Sequence, residues 1–244
     1  MEHDRGIVPM NETGFSMIKA GESWRTCEFF ESLPSAVLND FESIASFSSC
    51  PPSTQLFVES QKASNIYIAY DCQVKLFTRS SDSRRFILRI AKPGELLGLS
   101  SVFTGDPYQM TAETLYACTV ASVRRSDFLD FLNRFPEAYK GVARELSLGQ
   151  QRACDRLRMI GLAHGTSAKI GRLLLEWCAT GRKTDHGARI HLALTHGEIA
   201  ECIGASRETV TRVLSDFRRR RIVDVHGAIL TVMDRGALES CSDV

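Results

Sequence analysis

Residues 192–221 read LALTHGEIAECIGASRETVTRVLSDFRRRR, and this stretch decides the fold. Thr195 is followed three residues later by Glu198, the spacing of a capping box in which each side chain accepts a hydrogen bond from the other residue's backbone N–H. Ile199 and Ile203 then mark one apolar face. Gly204 suits the left-handed conformation that ends a helix. Ser206 offers a new N-cap two residues on, so a second helix starts almost at once. A helix, a short glycine turn and a second helix make a helix-turn-helix unit.

The polar face of the second helix is unlike ordinary solvated surface. With Arg207 at zero and about 100° per residue, Thr211 falls near 40°, Glu208 near 100° and Arg212 near 140°, while Val210, Val213, Leu214 and Phe217 span roughly 240° to 340°. Burying the apolar stripe leaves Arg207, Glu208, Thr211 and Arg212 projecting together from the N-terminal half, where a recognition helix reads bases. Arg bonds guanine O6 and N7 bidentately, and Glu accepts from cytosine N4. Arg218, Arg219, Arg220 and Arg221 follow, a charge run suited to phosphates, which supply affinity without sequence information. Ile222, Val223 and Val225, a His226-Gly227 turn, then Ile229, Leu230 and Val232 alternate as a hairpin does, so the unit is expected to be winged. Thr195 and Ser206, at the two helix starts, complete the candidate DNA-facing set.

The run Ala205-Ser206-Arg207-Glu208-Thr209-Val210-Thr211-Arg212-Val213-Leu214 resembles the recognition helix of the cAMP receptor protein and fumarate-nitrate regulator (CRP/FNR) superfamily of bacterial transcription factors. The resemblance implies base contacts from Arg207, Glu208 and Arg212 and a TGTGA-like half-site repeated as a palindrome. It also implies a homodimer on double-stranded DNA with RNA polymerase as a further partner.

Upstream, Gln55 to Glu59, Ile66 to Tyr70, Gln73 to Thr78, Arg85 to Ile90 and Ala117 to Val123 are short segments rich in aromatic or β-branched residues, separated by Ser, Asp, Pro and Gly. Such spacing predicts a barrel or sandwich, and it resembles the family's β-roll, the cyclic-nucleotide-binding fold. Gly94-Glu95-Leu96-Leu97-Gly98 resembles the start of its phosphate-binding cassette, in which the Glu takes a ribose hydroxyl. The family's phosphate-pairing Arg, however, falls on Tyr108, and the Ser beside it on Gln109. Losing a charge-assisted contact of roughly 1.5 to 3 kcal/mol costs about tenfold to over a hundredfold in affinity, so cAMP is not the expected effector. An unidentified small-molecule or redox effector takes its place.

Pro136 to Leu162 contains no internal proline and predicts a helix of about 25 residues, with Pro136 in its first turn. Val142, Leu146, Ala153, Leu157 and Ile160 follow the mixed spacing of a stripe that packs on a partner helix, and the family resemblance makes this the dimer axis. Cys154 falls near the position where cAMP-sensing members touch the base across that dimer, which adds it to the effector-pocket candidates. The expected organisation is α+β. An N-terminal arm (1–25) precedes a jelly-roll-like β-roll sensor (26–135) and a dimerisation helix (136–162). A winged helix-turn-helix domain (163–237), opened by a hinge at Ala163-His164-Gly165-Thr166 and a helix at Ser167 to Thr180, precedes a loosely ordered tail (238–244).

Composition is that of an ordinary soluble globular chain: 244 residues, 43% hydrophobic, 24% charged and a net charge of +1. No run of about 18 apolar residues suggests a membrane span, and Met1 to Met10 is unlike a signal peptide, so the expected location is cytoplasmic. The eight cysteines at 27, 50, 72, 118, 154, 178, 202 and 241 include no C-x-x-C pair. Clustered spacing is what a metal site usually shows in sequence, so reduced, mostly buried thiols are expected, with no metal or cofactor. A haem- or iron–sulfur-linked sensor of the same architecture is an alternative. An enzyme with a nucleic-acid-binding tail is another, but His3, His164, His186, His191, His196 and His226 all fall outside the β-roll and no catalytic residues are assigned.

Overall fold

The structure, a computed structural model, describes residues 29–30, 33–180, 182–184, 187–191, 194–226 and 229–242. The proposed arm at 1–25 and the Gly227 of the wing turn lie outside them. Helix α1 (Ser35–Ile44) leads into β1 (Ser46–Cys50), β2 (Gln55–Phe57), β3 (Asn65–Ala69), β4 (Val74–Arg79), β5 (Arg85–Ala91) and β6 (Leu96–Leu97). Then come α2 (Leu99–Thr104), β7 (Thr111–Thr114), β8 (Cys118–Arg124) and α3 (Arg125–Arg134). Two antiparallel four-stranded sheets, ordered β1-β8-β3-β6 and β2-β7-β4-β5, make the roll. Phe29, Phe30, Phe41, Phe128 and Phe131 interlock by edge and tilted ring contacts and fasten α1 and α3 to it.

Helix α4 (Ala138–Leu162) leads to α5 (Gly165–Thr180), and strands β9 (Arg182–Thr184) and β10 (Gly187–His191) precede the reading unit. That unit is α6 (His196–Ile203), α7 (Arg207–Arg219), β11 (Val223–His226) and β12 (Ile229–Val232), and α8 (Arg235–Ser242) follows. The wing hairpin belongs to a sheet ordered β11-β12-β10-β9. The hinge is shorter than expected: α5 begins at Gly165, whose φ of +81° turns the chain after Ala163 and His164.

Strand β4 shows why the two halves are joined. Its first four residues are all buried, although successive side chains point to opposite faces. Val74 and Leu76 enter the roll's core. Phe77 instead joins Ile87 of β5 in a second core with Ile199, Cys202 and Ile203 of α6 and Val210, Leu214 and Phe217 of α7. The core of the DNA-binding half therefore extends onto the outer face of the β4–β5 hairpin.

Two expectations need correction. Val142 does not belong to an outward stripe: it is buried in the roll's own core. Beside it, a Cβ on Gly141 would lie 2.6 Å from the Phe29 carbonyl oxygen, so this turn of α4 is pressed against the start of the roll. Residues 238–242 are not a loose tail either. Helix α8 is capped by Asp234, whose Oδ1 accepts from the Ala237 N–H at 2.8 Å, and it packs on α5 with Leu238 fully buried. Leu238→Ala should therefore cost about 2–5 kcal/mol, read as a lowered urea midpoint; an unchanged midpoint would mean α8 is dispensable.

Candidate nucleic-acid interface and sensor cavity

Local chemistry builds the reading head as the sequence implies. The Thr195 hydroxyl accepts from Glu198 N–H at 3.2 Å, and Glu198 Oε2 accepts from Thr195 N–H at 2.9 Å. Gly204 ends α6 at φ +66°, and the Ser206 Oγ accepts from Thr209 N–H at 3.2 Å to start α7. With Val210, Leu214 and Phe217 buried, Arg207, Glu208, Thr211 and Arg212 all stand exposed. Neither Arg207 nor Arg212 forms an ion pair with any described residue. Thr211 is less available, since its Oγ1 donates to the Arg207 carbonyl at 3.0 Å and lies 2.9 Å from His196 Nδ1. Hydrogen bonds from its own backbone N–H and from Ser206 hold the Glu208 carboxyl below its usual range.

The arginine run is more engaged than its sequence suggests. Arg219 pairs with Asp216 at 2.5 Å, Arg220 with Asp216 at 3.6 Å and Arg218 with Asp224 at 3.7 Å. All are exposed pairs, worth little in water, so the arginines remain accessible to phosphates. Arg221 adopts φ +56° and turns the chain from α7 into the wing.

Between the roll and α4 lies a cavity of about 840 Å³, within the range of small-molecule sites. Among the residues lining it are Phe57, Leu88, Leu146, Ala153, Leu157 and Ile160, together with the cassette residues Glu95, Leu96 and Gly98. Gly94 and Gly98 adopt φ of +86° and +79°, as the cassette's turns require. Glu95 is already saturated. Its Oε2 meets Arg89 and, at 3.5 Å, Arg152 of α4, while its Oε1 accepts from Lys92 N–H at 3.2 Å. The expected ribose-binding carboxylate is here a strap between cassette and helix.

Tyr108 replaces a cation with a packed ring. It stacks on Phe57 at 4.1 Å between centroids, and its hydroxyl donates to the Asn65 carbonyl at 2.5 Å and accepts from Asn65 N–H at 3.2 Å. Burial raises its pKa, so it stays a neutral phenol whose proton is already used. Gln109 is exposed at the cavity's edge. Cys154 is exposed on α4 and does not line this cavity, although its neighbours Ala153 and Asp155 do. Leu157, 70% exposed, marks an open apolar face on α4, whereas Ile160 packs partly on the second core. The stripe proposed for dimerisation is thus shared among the roll core, the cavity and an outward face.

Sequence reasoning missed the junction between sensor and reading head. Lys75 of β4 lies buried between Glu113 of β7 and Glu198 of α6, each at 2.7 Å. Glu198 therefore closes the capping box with one oxygen and grips the sensor with the other. Arg85 of β5 pairs with Glu201 at 3.1 Å. Arg156 of α4 donates from one nitrogen to the carbonyls of Ile87 and Cys202, joining α4, β5 and α6 at one guanidinium. These partners are separated by up to 123 positions, and no local pattern announces them.

A roll with a cavity against a long helix, tied through that helix to a winged helix-turn-helix, defines a DNA-binding transcriptional regulator with a cyclic-nucleotide-binding-like domain. Comparison with known proteins agrees. A cyclic nucleotide-binding domain matches residues 48–135 and a Crp-like helix-turn-helix domain residues 168–241. The chain is 27% identical over 185 residues to the CRP-like cAMP-activated global transcriptional regulator of Mycobacterium tuberculosis, covering 75% of this chain and 82% of that one. It is 26% identical over 200 residues to the transcriptional activatory protein AadR of Rhodopseudomonas palustris, covering 80% of each. The solved structure of FixK2 from Bradyrhizobium japonicum superposes with a TM-score of 0.73 at 21% identity, over 82% of this chain and 98% of that one. The chain belongs to the CRP/FNR family of transcriptional regulators. Among the described residues, no helix is long and apolar enough to cross a membrane.

Glu198 gives the junction a sign with pH. Burial opposes its ionisation, but hydrogen bonds from Lys75 and from Thr195 N–H outweigh burial and lower its pKa below 4.5. The stabilisation is then fully present above that ordinary value and is lost as pH falls through the lowered one. Urea unfolding should show stability declining below about pH 4.5 with a shallower slope in Glu198→Gln; identical slopes would remove Glu198 from the acid-linked contact.

Proposed function

We propose that the protein is a cytoplasmic homodimer that reads a palindromic, TGTGA-like site and is modulated through its roll by a small molecule other than cAMP. The observation that carries this is the exposed group Arg207, Glu208 and Arg212 on the N-terminal half of α7, set by two side-chain caps and backed by a buried apolar stripe. An α7 with this polar face fits a major groove, and the outward face of α4 around Ala153 and Leu157 would seat a second copy. Two such heads spaced by about 34 Å match successive turns of DNA. RNA polymerase is the partner through which such a regulator acts.

The Mycobacterium tuberculosis relative is named as cAMP-activated. Here the Tyr108 phenol, packed on Phe57 and bonded to Asn65, supplies no charge to a cyclic phosphate, and Glu95 is committed to Arg89 and Arg152. The effector would therefore be held by the cavity's apolar wall and by rearrangement of the Arg89–Glu95–Arg152 strap. Calorimetry with the full chain should show no micromolar cAMP complex; such a complex would overturn this part. The relatives are named as transcriptional regulators, and the role read for this chain is regulation rather than turnover.

Selection of bound duplexes from random DNA should recover an inverted repeat with a TG…CA-related core. Arg212→Ala should lower affinity for that site by about 1–3 kcal/mol and relax one base position, whereas Arg219→Ala should weaken specific and random DNA alike. Recovery of no palindrome, or equal effects of both substitutions, would contradict the assignment of α7.

A further inference from the structure

The cysteines that look evenly scattered in sequence are gathered by the fold. Asp71 and Cys72 lie in the connection between β3 and β4, Cys118 opens β8, and Cys50 closes β1 directly opposite Cys118 in the antiparallel register. The Sγ atoms of Cys72 and Cys118 and a carboxylate oxygen of Asp71 all lie within 4.8 Å of one another. Cys50 is buried nearby, but its thiol faces the Ser48 carbonyl oxygen at 3.9 Å and is not one of these three donors.

Three features point to a cation rather than to inert core thiols. First, the donor set is soft sulfur plus one carboxylate, all ligand types that zinc accepts. Second, Asp71 is held in place: its Oδ1 accepts from Thr119 N–H at 2.6 Å, the kind of supporting bond that orients a ligating carboxylate. Third, no Lys, Arg or His side chain among the described residues forms an ion pair with Asp71, so the charge of the group is uncompensated by protein. Asp71 is exposed while the thiols are buried, which gives an ion a path in from solvent.

We propose that Cys72, Cys118 and Asp71 hold a thiophilic divalent cation of the zinc class, with a solvent oxygen as its fourth ligand. Binding forms two metal–sulfur bonds and one metal–oxygen bond to the protein. Each thiol loses one proton to solvent, so two protons leave per ion and no electron is transferred. This donor set is not the closely spaced N-terminal cysteine pattern of iron–sulfur sensors. The bound ion would fasten the β3–β4 connection to β8, three residues before Lys75, and so would stiffen the strand that holds α6.

Cobalt(II) is a direct probe, because tetrahedral thiolate coordination gives an intense sulfur-to-metal charge-transfer band. The full chain, reduced and stripped with a chelator, should bind one Co²⁺ per chain with that band and release it to Zn²⁺. Asp71→Asn, a change at an exposed position that leaves the core untouched, should lower Co²⁺ affinity by at least about tenfold, the loss that even outer-shell partners produce. Cys72→Ser should abolish the band, and Cys241→Ser on α8 should leave it unchanged. Absence of the band in the wild-type chain, or a band of undiminished affinity in Asp71→Asn, would overturn the proposal.

Discussion

The buried ammonium of Lys75 is the constraint on which the arrangement of this molecule depends. One cation sits between two carboxylates from different halves of the chain, Glu113 in the sensor sheet and Glu198 in the first helix of the reading unit. In a poorly solvated junction such a group is stable only while its partners stay in place. Removing one partner of a buried pair typically costs about 3–5 kcal/mol, because a charge is left without compensation. Glu198 also closes the cap that starts α6, so the carboxylate that shapes the helix-turn-helix is the one that orients it on the sensor.

The remaining contacts are arranged around this junction. Phe77 and Ile87 extend the apolar core of the DNA-binding half onto the β4–β5 hairpin, Arg85 reaches Glu201, and Arg156 ties α4 to both. The cavity adjoins this junction, being lined in part by Leu76 and Ile90 of these same strands and by Arg156 itself. A ligand that displaced the Arg89–Glu95–Arg152 strap would thus act beside the strands and the guanidinium that hold α6. An effector shifts such an equilibrium only by its differential affinity for the two arrangements, and the strap is a natural source of that difference.

The parts of the fold governed by local chemistry were legible in sequence. Thr195, Gly204 and Ser206 cap and turn as their types dictate, and the five β-rich segments correspond to β2, β3, β4, β5 and β8. Strand β1, SFSSC, was too polar to stand out, and β6 has only two residues. The stripe on α4 mixed two faces, so Val142 was placed outside when it packs inward. Helix α8 had a readable signal in the Asp234 cap, which the small residues around it obscured. The Lys75–Glu198 pair and the Cys72–Cys118 neighbourhood bring together residues far apart in sequence, and only the closed roll and its docking to α6 reveal them.

A double-mutant cycle between Lys75→Met and Glu198→Gln, measured by urea unfolding of the full chain at neutral pH, tests this account most directly. Residues that share one buried ionic contact should show a coupling energy of about 0.5–3 kcal/mol. Effects that add to within about 0.3–0.5 kcal/mol would show the two residues to be independent and would contradict the claim that Lys75 fixes the reading head on the sensor.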